Sequence, residues 1–140
     1  MAIALRKEAV EDVPPPLALD RLENGDMLTA TEFLRRYAAS PKVKKAELIE
    51  GNVYMSSPVS YDHGAHDALI QGWLLAYVAK TPGTNCATNV TVRLDPETVP
   101  QPDALLRILP ECGGRTRIDP DGYLAGPPEL IVEIAARSVD

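Results

Sequence analysis

The sequence Val99-Pro-Gln-Pro-Asp-Ala-Leu-Leu-Arg-Ile-Leu109 decides the fold of this chain, together with a later segment, Glu129-Leu-Ile-Val-Glu-Ile-Ala-Ala136. Each segment contains an apolar run that predicts a buried strand, and each carries one carboxylate, Asp103 in the first and Glu133 in the second. A buried carboxylate costs several kcal/mol unless it is paired or ligates a cation. If the two strands are neighbours, the two acids are expected to share a divalent ion, Mg²⁺ or Mn²⁺, because both ions prefer oxygen ligands.

Structural roles for the two acids remain open at this point. Asp103 follows a proline and could cap a turn. Glu133 could pair with Arg93 or Arg107. A purely structural protein would place each acid beside an arginine and point the two away from each other.

Composition bounds the class of protein. The chain has 140 residues and 45% hydrophobic content, which predicts one domain with a real core. Its net charge of −6 argues against a general nucleic-acid coat, and the acidic excess lies in residues 1–29 and 81–140. Cys86 and Cys112 are far apart and lack a metal-binding pattern, so no zinc site or disulfide framework is expected. Without a long apolar run or a signal-peptide pattern, a cytoplasmic protein is expected.

The hydrophobic pattern predicts an α+β fold: a mixed sheet with a long helix packed on it. Residues 1–28, which contain Pro14-Pro15-Pro16, are predicted to be a flexible or surface-draped N-terminal extension, and residues 29–140 the domain. A short helix is predicted over residues 29–38. A hairpin is predicted over residues 46–55, with its turn at Gly51-Asn52. A long helix over residues 60–80 is predicted to bury a broad apolar face.

The second half of the chain is predicted to be mostly strand. Residues 86–94 alternate strictly and predict one strand, paired as a hairpin with residues 101–108. Residues 110–128 are rich in glycine and proline and predict a loop. Residues 129–136 are apolar on both faces apart from their acids, which predicts a covered central strand.

Two clusters of charged or titratable side chains lie elsewhere in the chain, one at the start of the long helix and one before the hairpin. His63 and His66 are three residues apart, so they could share a helix face, although the interpretation as capping or core-edge histidines is the simpler one. Lys42, Lys44 and Lys45 form a small basic patch, either a solvated loop or a contact for phosphates.

Four segments in series carry a resemblance to a known family: residues 46–58, Asp62-His63 at a helix start, residues 99–103 and residues 128–134. Over residues 29–140 the chain resembles the putative restriction endonuclease family of bacteria, formerly a domain of unknown function, within the PD-(D/E)XK nuclease superfamily. The resemblance implies a restriction-endonuclease-like core and a metal-dependent endonuclease that hydrolyses DNA phosphodiester bonds with Mg²⁺ or Mn²⁺.

The resemblance also implies roles for individual residues. Asp103 and Glu133 would be the catalytic, metal-holding acids. Glu47 would assist as a third metal ligand, although it could equally be an exposed strand acid. His63 would contact substrate.

The chain departs from the family pattern at one catalytic position. The superfamily pattern places a lysine two residues after the second acid, where this chain has Ala135. In the family that the chain resembles, the lysine usually comes from the helix that follows. The sequence stops at Asp140 and has no lysine after Lys80. We therefore expect a C-terminally truncated member that lacks the last helix and strands and has no catalytic lysine.

Two functional hypotheses follow from these observations. The chain is either an endonuclease or a catalytically incomplete remnant that acts as a binding or interaction domain. Weak, salt-dependent DNA binding is expected in view of the acidic balance. An exposed sheet edge would favour a homodimer.

Overall fold

Helices and short strands alternate in the computed structural model, which describes residues 21–56 and 58–135. The described elements form a mixed α+β structure, as the sequence pattern predicts. The strands within the described residues are arranged in one two-stranded and two three-stranded sheets. No described helix is both long enough and apolar enough to cross a membrane.

The first helix and the hairpin share one core. Helix α1 (Ala30–Ala38) begins after Thr29, whose side chain accepts a hydrogen bond from the Glu32 N–H and so caps the helix. Strands β1 (Ala46–Ile49) and β2 (Asn52–Met55) pair antiparallel. The core between them buries aromatic and aliphatic side chains: Phe33, Leu34, Leu48, Val53 and Val99.

The hairpin turn lies one residue earlier than predicted. Ile49 pairs with Asn52, so Glu50 and Gly51 make the turn, with φ of 49° and 80°. Positive φ at both central residues is the geometry whose twist matches that of the flanking strands. The predicted turn at Gly51-Asn52 is wrong because Asn52 is the first residue of β2.

Residues 21–28, predicted as part of the extension, pack on the hairpin. Leu22 is buried in the first core. The Gly25 N–H donates to the Val53 carbonyl, and the Leu28 N–H donates to the Gly51 carbonyl, both at 2.8 Å. The folded unit therefore starts before residue 29. The rest of the predicted extension, residues 1–20, lies outside the described residues.

The long helix and three strands form the layer that carries the two acids. Helix α2 (Tyr61–Lys80) is capped by Ser60, which accepts from the His63 N–H. Strand β3 (Thr84–Thr88) pairs antiparallel with β5 (Ala104–Ile108), as predicted. Strand β8 (Leu130–Val132) pairs antiparallel with the other side of β5.

Two expectations for this layer are wrong. Strand β5 is central and β8 lies at the edge of the described sheet, because only one side of β8 meets another described strand. The broad apolar face of α2 is largely exposed: Leu74 is its buried residue, whereas Leu69 and Trp73 are 73% and 60% exposed.

The predicted strand over residues 86–94 is two strands in two sheets. Asn89 has a φ of 52°, and the chain turns there into β4 (Val92–Arg93). The segment predicted as a loop contains a 3₁₀ turn and strands β6 (Arg117–Ile118) and β7 (Leu124–Ala125), and β7 pairs parallel with β4. Val92, Leu105 and Leu124 form the second core between the two three-stranded sheets.

Candidate active site

Asp103 lies immediately before β5 and is 6% exposed. Its Oδ2 accepts the Ile134 N–H at 2.8 Å and lies 3.2 Å from His63 Nε2, while its Oδ1 lies 3.3 Å from Lys45 Nζ. Its carboxylate therefore contacts the segment after β8, the residue before β1 and the first turn of α2. It does not cap a local turn. Burial raises the pKa of Asp103, but the Ile134 N–H, Lys45 and His63 outweigh burial and hold this pKa below its usual value.

Strand pairing brings Glu133 to Asp103. Ala104 pairs with Val132, so the same antiparallel register sets Asp103 opposite Glu133, one residue beyond the ladder. Opposed side chains in such a pair lie on the same face of the sheet. The predicted meeting of the two acids is thus present in the structure.

Glu133 has the less favourable electrostatic surroundings of the two acids. Desolvation of its carboxylate raises its pKa, and the negative charges of Asp103 and Glu47 raise it further. Lys45 and a backbone hydrogen bond from Asp103 act in the opposite direction without cancelling the rise. The charged form of Glu133 is therefore disfavoured, first by desolvation and then by the neighbouring carboxylates.

Glu47 approaches this pair from the hairpin. Backbone hydrogen bonds join Leu48 and Val99 in both directions, at 3.0 and 2.7 Å, and so dock β1 beside the segment that precedes Asp103. The Glu47 Oε1 accepts the Gln101 N–H at 2.6 Å. Glu47 is therefore held near Glu133, close enough to raise its pKa, with one oxygen already bound to backbone.

A magnesium site at the two carboxylates would have few protein ligands. Within residues 21–56 and 58–135, no group of three or more His, Cys, Asp and Glu side chains is arranged to hold a metal ion. Mg²⁺ commonly uses one or two carboxylates and keeps several waters. Asp103 and Glu133 would supply these two carboxylates. A cation between them would offset the repulsion that adds to desolvation in raising the Glu133 pKa.

Lys45 is the functional residue that sequence reasoning missed. The superfamily pattern predicts a lysine beyond Glu133, and the sequence predicts Lys45 in a small basic patch with Lys42 and Lys44. The Lys45 side chain is 21% exposed and forms a salt bridge with Asp103. The sequence contains a signal for this position. Lys45 immediately precedes β1 and Glu47 lies in it, two residues on, and alternate residues of an extended chain point to the same face.

The two histidines do not act together. His63, in the first turn of α2, points to Asp103 and is 18% exposed. His66 is exposed, and its Nδ1 is bonded to the Asp62 carbonyl at 2.7 Å. The prediction that His63 belongs to the site region is consistent with this position, and a contact with substrate stays a prediction.

The proposed arginine partners of Glu133 are engaged elsewhere. Arg93 Nη2 lies 3.7 Å from Asp119 and 3.6 Å from Asp121. Arg107 donates to the Thr116 hydroxyl at 3.4 Å. In the described part of the chain neither arginine pairs with Glu133, so the structural alternative for this acid is wrong.

Comparison with solved structures defines the class of fold. The chain resembles a crystal structure described as a putative nuclease belonging to DUF820, from Anabaena variabilis ATCC 29413, with a TM-score of 0.57 and 17% sequence identity. The match covers 80% of this chain and 62% of that chain. At this identity the likeness shows a shared fold.

The sequence itself gives the family. The model of the Uma2 family, described as a putative restriction endonuclease, matches residues 30–140, and the chain belongs to this family. No curated protein matches the chain. The predicted resemblance is confirmed, and Glu47, His63, Asp103 and Glu133 all lie within the matched residues.

Proposed function

We propose that this chain is a metal-dependent endonuclease that hydrolyses DNA phosphodiester bonds in the bacterial cytoplasm. The observation that carries the proposal is the register of β5 and β8, which sets Asp103 opposite Glu133 one residue beyond the ladder, with Lys45 3.3 Å from Asp103. Membership of the restriction-endonuclease-like family supports a nuclease. In this proposal Asp103 and Glu133 hold Mg²⁺ or Mn²⁺, and Glu47 assists.

The chemistry divides between the ion and the side chains. A bound divalent ion supplies Lewis acidity toward the phosphoryl oxygen and lowers the pKa of water. Lys45 supplies a fixed positive charge where negative charge develops on the phosphoryl group, the role that the family assigns to a later lysine. His63 and the Ile134 N–H hold the Asp103 carboxylate in one orientation.

The basic loop before β1 supplies the proposed DNA contact. Lys42 and Lys44 are exposed and immediately precede Lys45. Exposed lysines here would bind backbone phosphates on either side of the scissile bond, without reading sequence. Because the chain carries a net charge of −6, we expect weak binding that falls steeply with salt.

A binding domain without activity is the second candidate. It is favoured by the engagement of both Asp103 oxygens in the described structure, one by Lys45 and the other by His63 and Ile134. In that case the carboxylates would still take a divalent ion, but no cleavage would follow.

Nicking of supercoiled plasmid DNA in Mn²⁺ or Mg²⁺ tests the proposal. We expect activity in the parent chain, loss of at least about 100-fold in Asp103→Ala and Glu133→Ala, and a loss of about 10²–10³-fold in Lys45→Ala. Lys44→Ala is the matched control, because it removes a neighbouring exposed lysine. The Lys44→Ala variant should bind DNA more weakly and with a shallower dependence of affinity on salt. Its cleavage rate at saturating DNA should equal that of the parent.

Calorimetric titration with Mn²⁺ separates the two candidates. Binding that requires Asp103, without nicking by the parent chain, would replace the enzyme by the binding domain. The absence of both Mn²⁺ binding and nicking would refute both candidates.

A further inference from the structure

The outer face of α2 is apolar although it faces solvent. Every exposed residue of the helix between positions 68 and 79 is apolar or glycine: Ala68, Leu69, Gly72, Trp73, Leu75, Ala76, Tyr77 and Ala79. The opposite side of the helix packs through Leu74 on the layer of β3 and β5. A helix that is hydrophobic all round is normally covered on all sides.

The uncovered area is large enough for a dimer interface. Tyr61, Leu69, Trp73, Leu75 and Tyr77 are between 44% and 88% exposed. With side-chain areas of about 150–250 Å² for aromatic residues, these side chains and the small residues between them present roughly 600 Å² of apolar surface. Such an area is at the upper limit for a monomer surface and approaches the roughly 800 Å² that each partner buries in a standard interface.

The shape of this face is self-complementary. Leu69, Trp73 and Tyr77 form a ridge at four-residue spacing, and Ala68, Gly72 and Ala76 form a groove beside it. A Cβ built at Gly72 meets no atom within 4 Å, so the groove is open to a partner. Ridge and groove on one face are what a two-fold axis requires, because each copy must offer both surfaces.

The charges at the two ends of the face set the orientation and the register. Asp62 and Lys80 are exposed and lie on the same side of α2 as Leu69 and Trp73, at alternating three- and four-residue steps. In an antiparallel pair centred on residue 71, Asp62 of each helix meets Lys80 of the other. The same register sets Leu69 against Trp73, and the small Ala65 against the large Tyr77.

We propose that this chain forms a two-fold homodimer in which the outer faces of two α2 helices pack antiparallel, centred on residue 71. The interface is the exposed apolar face between residues 61 and 80, with an Asp62–Lys80 pair at each end. Neither Asp103 nor Glu133 is part of this face, and the proposal does not depend on nuclease activity.

Sedimentation velocity over a range of concentrations tests the dimer. We expect the parent chain to sediment as a species of twice the monomer mass. Trp73→Glu should raise the dimer dissociation constant roughly 100-fold, because it places a charge from each copy in the centre of the interface. Ile118→Glu on β6 is the matched control, because Ile118 and Trp73 are each 60% exposed. The control should remain a dimer with the parent's thermal midpoint. Trp73→Glu should show the midpoint that the parent has at concentrations low enough to dissociate it, because Trp73 is exposed in the single chain and only the stabilisation by the second copy is lost.

Mixing two charge variants tests the register. Asp62→Lys alone and Lys80→Asp alone each place like charges together at both ends, and each should raise the dissociation constant roughly tenfold. An equimolar mixture of the two variants restores both opposite-charge pairs, so it should form a heterodimer about as tight as the parent dimer. A monomeric parent chain, a dimer that survives Trp73→Glu, or a mixture with no heterodimer would overturn the proposal.

Discussion

Neutralising the two site acids is expected to change stability in opposite directions. Asp103→Asn removes the charge that faces Lys45 at 3.3 Å and His63 at 3.2 Å. The asparagine oxygen can still accept the Ile134 N–H, so we expect a loss of about 2 kcal/mol, which is typical for hydrogen bonds to charged groups. Glu133→Gln instead removes a charge that Asp103 and Glu47 repel. Since Glu133 is exposed, screening limits the gain to about 0.5 kcal/mol.

The two effects also differ in their dependence on pH. The pKa of Asp103 is lowered in the folded chain, so its contribution is complete above its ordinary value of 3.8 and is lost as the pH falls through the lowered pKa. The pKa of Glu133 is raised, so the ionised carboxylate lowers the free energy of unfolding. This loss of stability develops as the pH rises from 4.5 through the raised pKa and persists at neutrality. Glu133→Gln should therefore stabilise the chain at pH 7 and leave its stability unchanged near pH 4.

Thermal unfolding with a chelator present, at both pH values, measures these differences. Asp103→Asn should lower the thermal midpoint by about 8 °C at pH 7, and Glu133→Gln should raise it by about 2 °C. The exposed Glu97→Gln is the control for loss of one negative charge and should leave the midpoint unchanged. The electrostatic account of the site would be refuted by a Glu133→Gln variant that is less stable at pH 7, or by a gain that persists near pH 4.

Three further predictions concern the framework around the site. Phe33→Ala should destabilise the chain by about 4 kcal/mol in urea unfolding, because Phe33 is fully buried in the first core. Glu50→Asn should stabilise the chain by about 0.5 kcal/mol in the same assay, because asparagine tolerates the positive φ at this turn position better. The pKa of Glu32, lowered to about 2 by Arg35 and Arg36, should appear in an NMR titration and rise toward its ordinary value in Arg36→Gln.

Local signals were sufficient to predict much of the framework. The two helices begin where the sequence predicts them, because the hydroxyls of Thr29 and Ser60 before the apolar runs satisfy free N–H groups wherever the helix packs. Asp103 and Glu133 meet as expected, because two apolar runs with one acid each fit neighbouring strands. These inferences depend only on residues close in sequence, or on one strand pairing.

Features that depend on tertiary context escaped prediction. Strict alternation continues through Asn89, so the pattern gave no sign that residues 86–94 leave one sheet and enter another. The apolar residues of α2 surround the helix, so their spacing could not reveal which side packs on the sheet. Lys45 lies 58 residues from Asp103 in the chain, and only the docking of β1 beside the Val99 segment brings the two together.

The site is electrostatically asymmetric, and Lys45 decides where a cation can bind. Lys45 already balances the charge of Asp103, whereas Glu133 has Asp103 and Glu47 as neighbouring carboxylates, so a divalent ion would gain most of its attraction on the Glu133 side and would compete with Lys45 for Asp103. Lys45→Met should therefore bind Mn²⁺ more tightly in calorimetry, by roughly tenfold, as expected when a competing charge is removed from a partly buried site. The same variant should nick DNA more slowly, because the charge that balances the phosphoryl group is gone. Tighter metal binding with slower cleavage would separate the two roles of Lys45, whereas weaker Mn²⁺ binding would mean that the lysine only holds Asp103 in place.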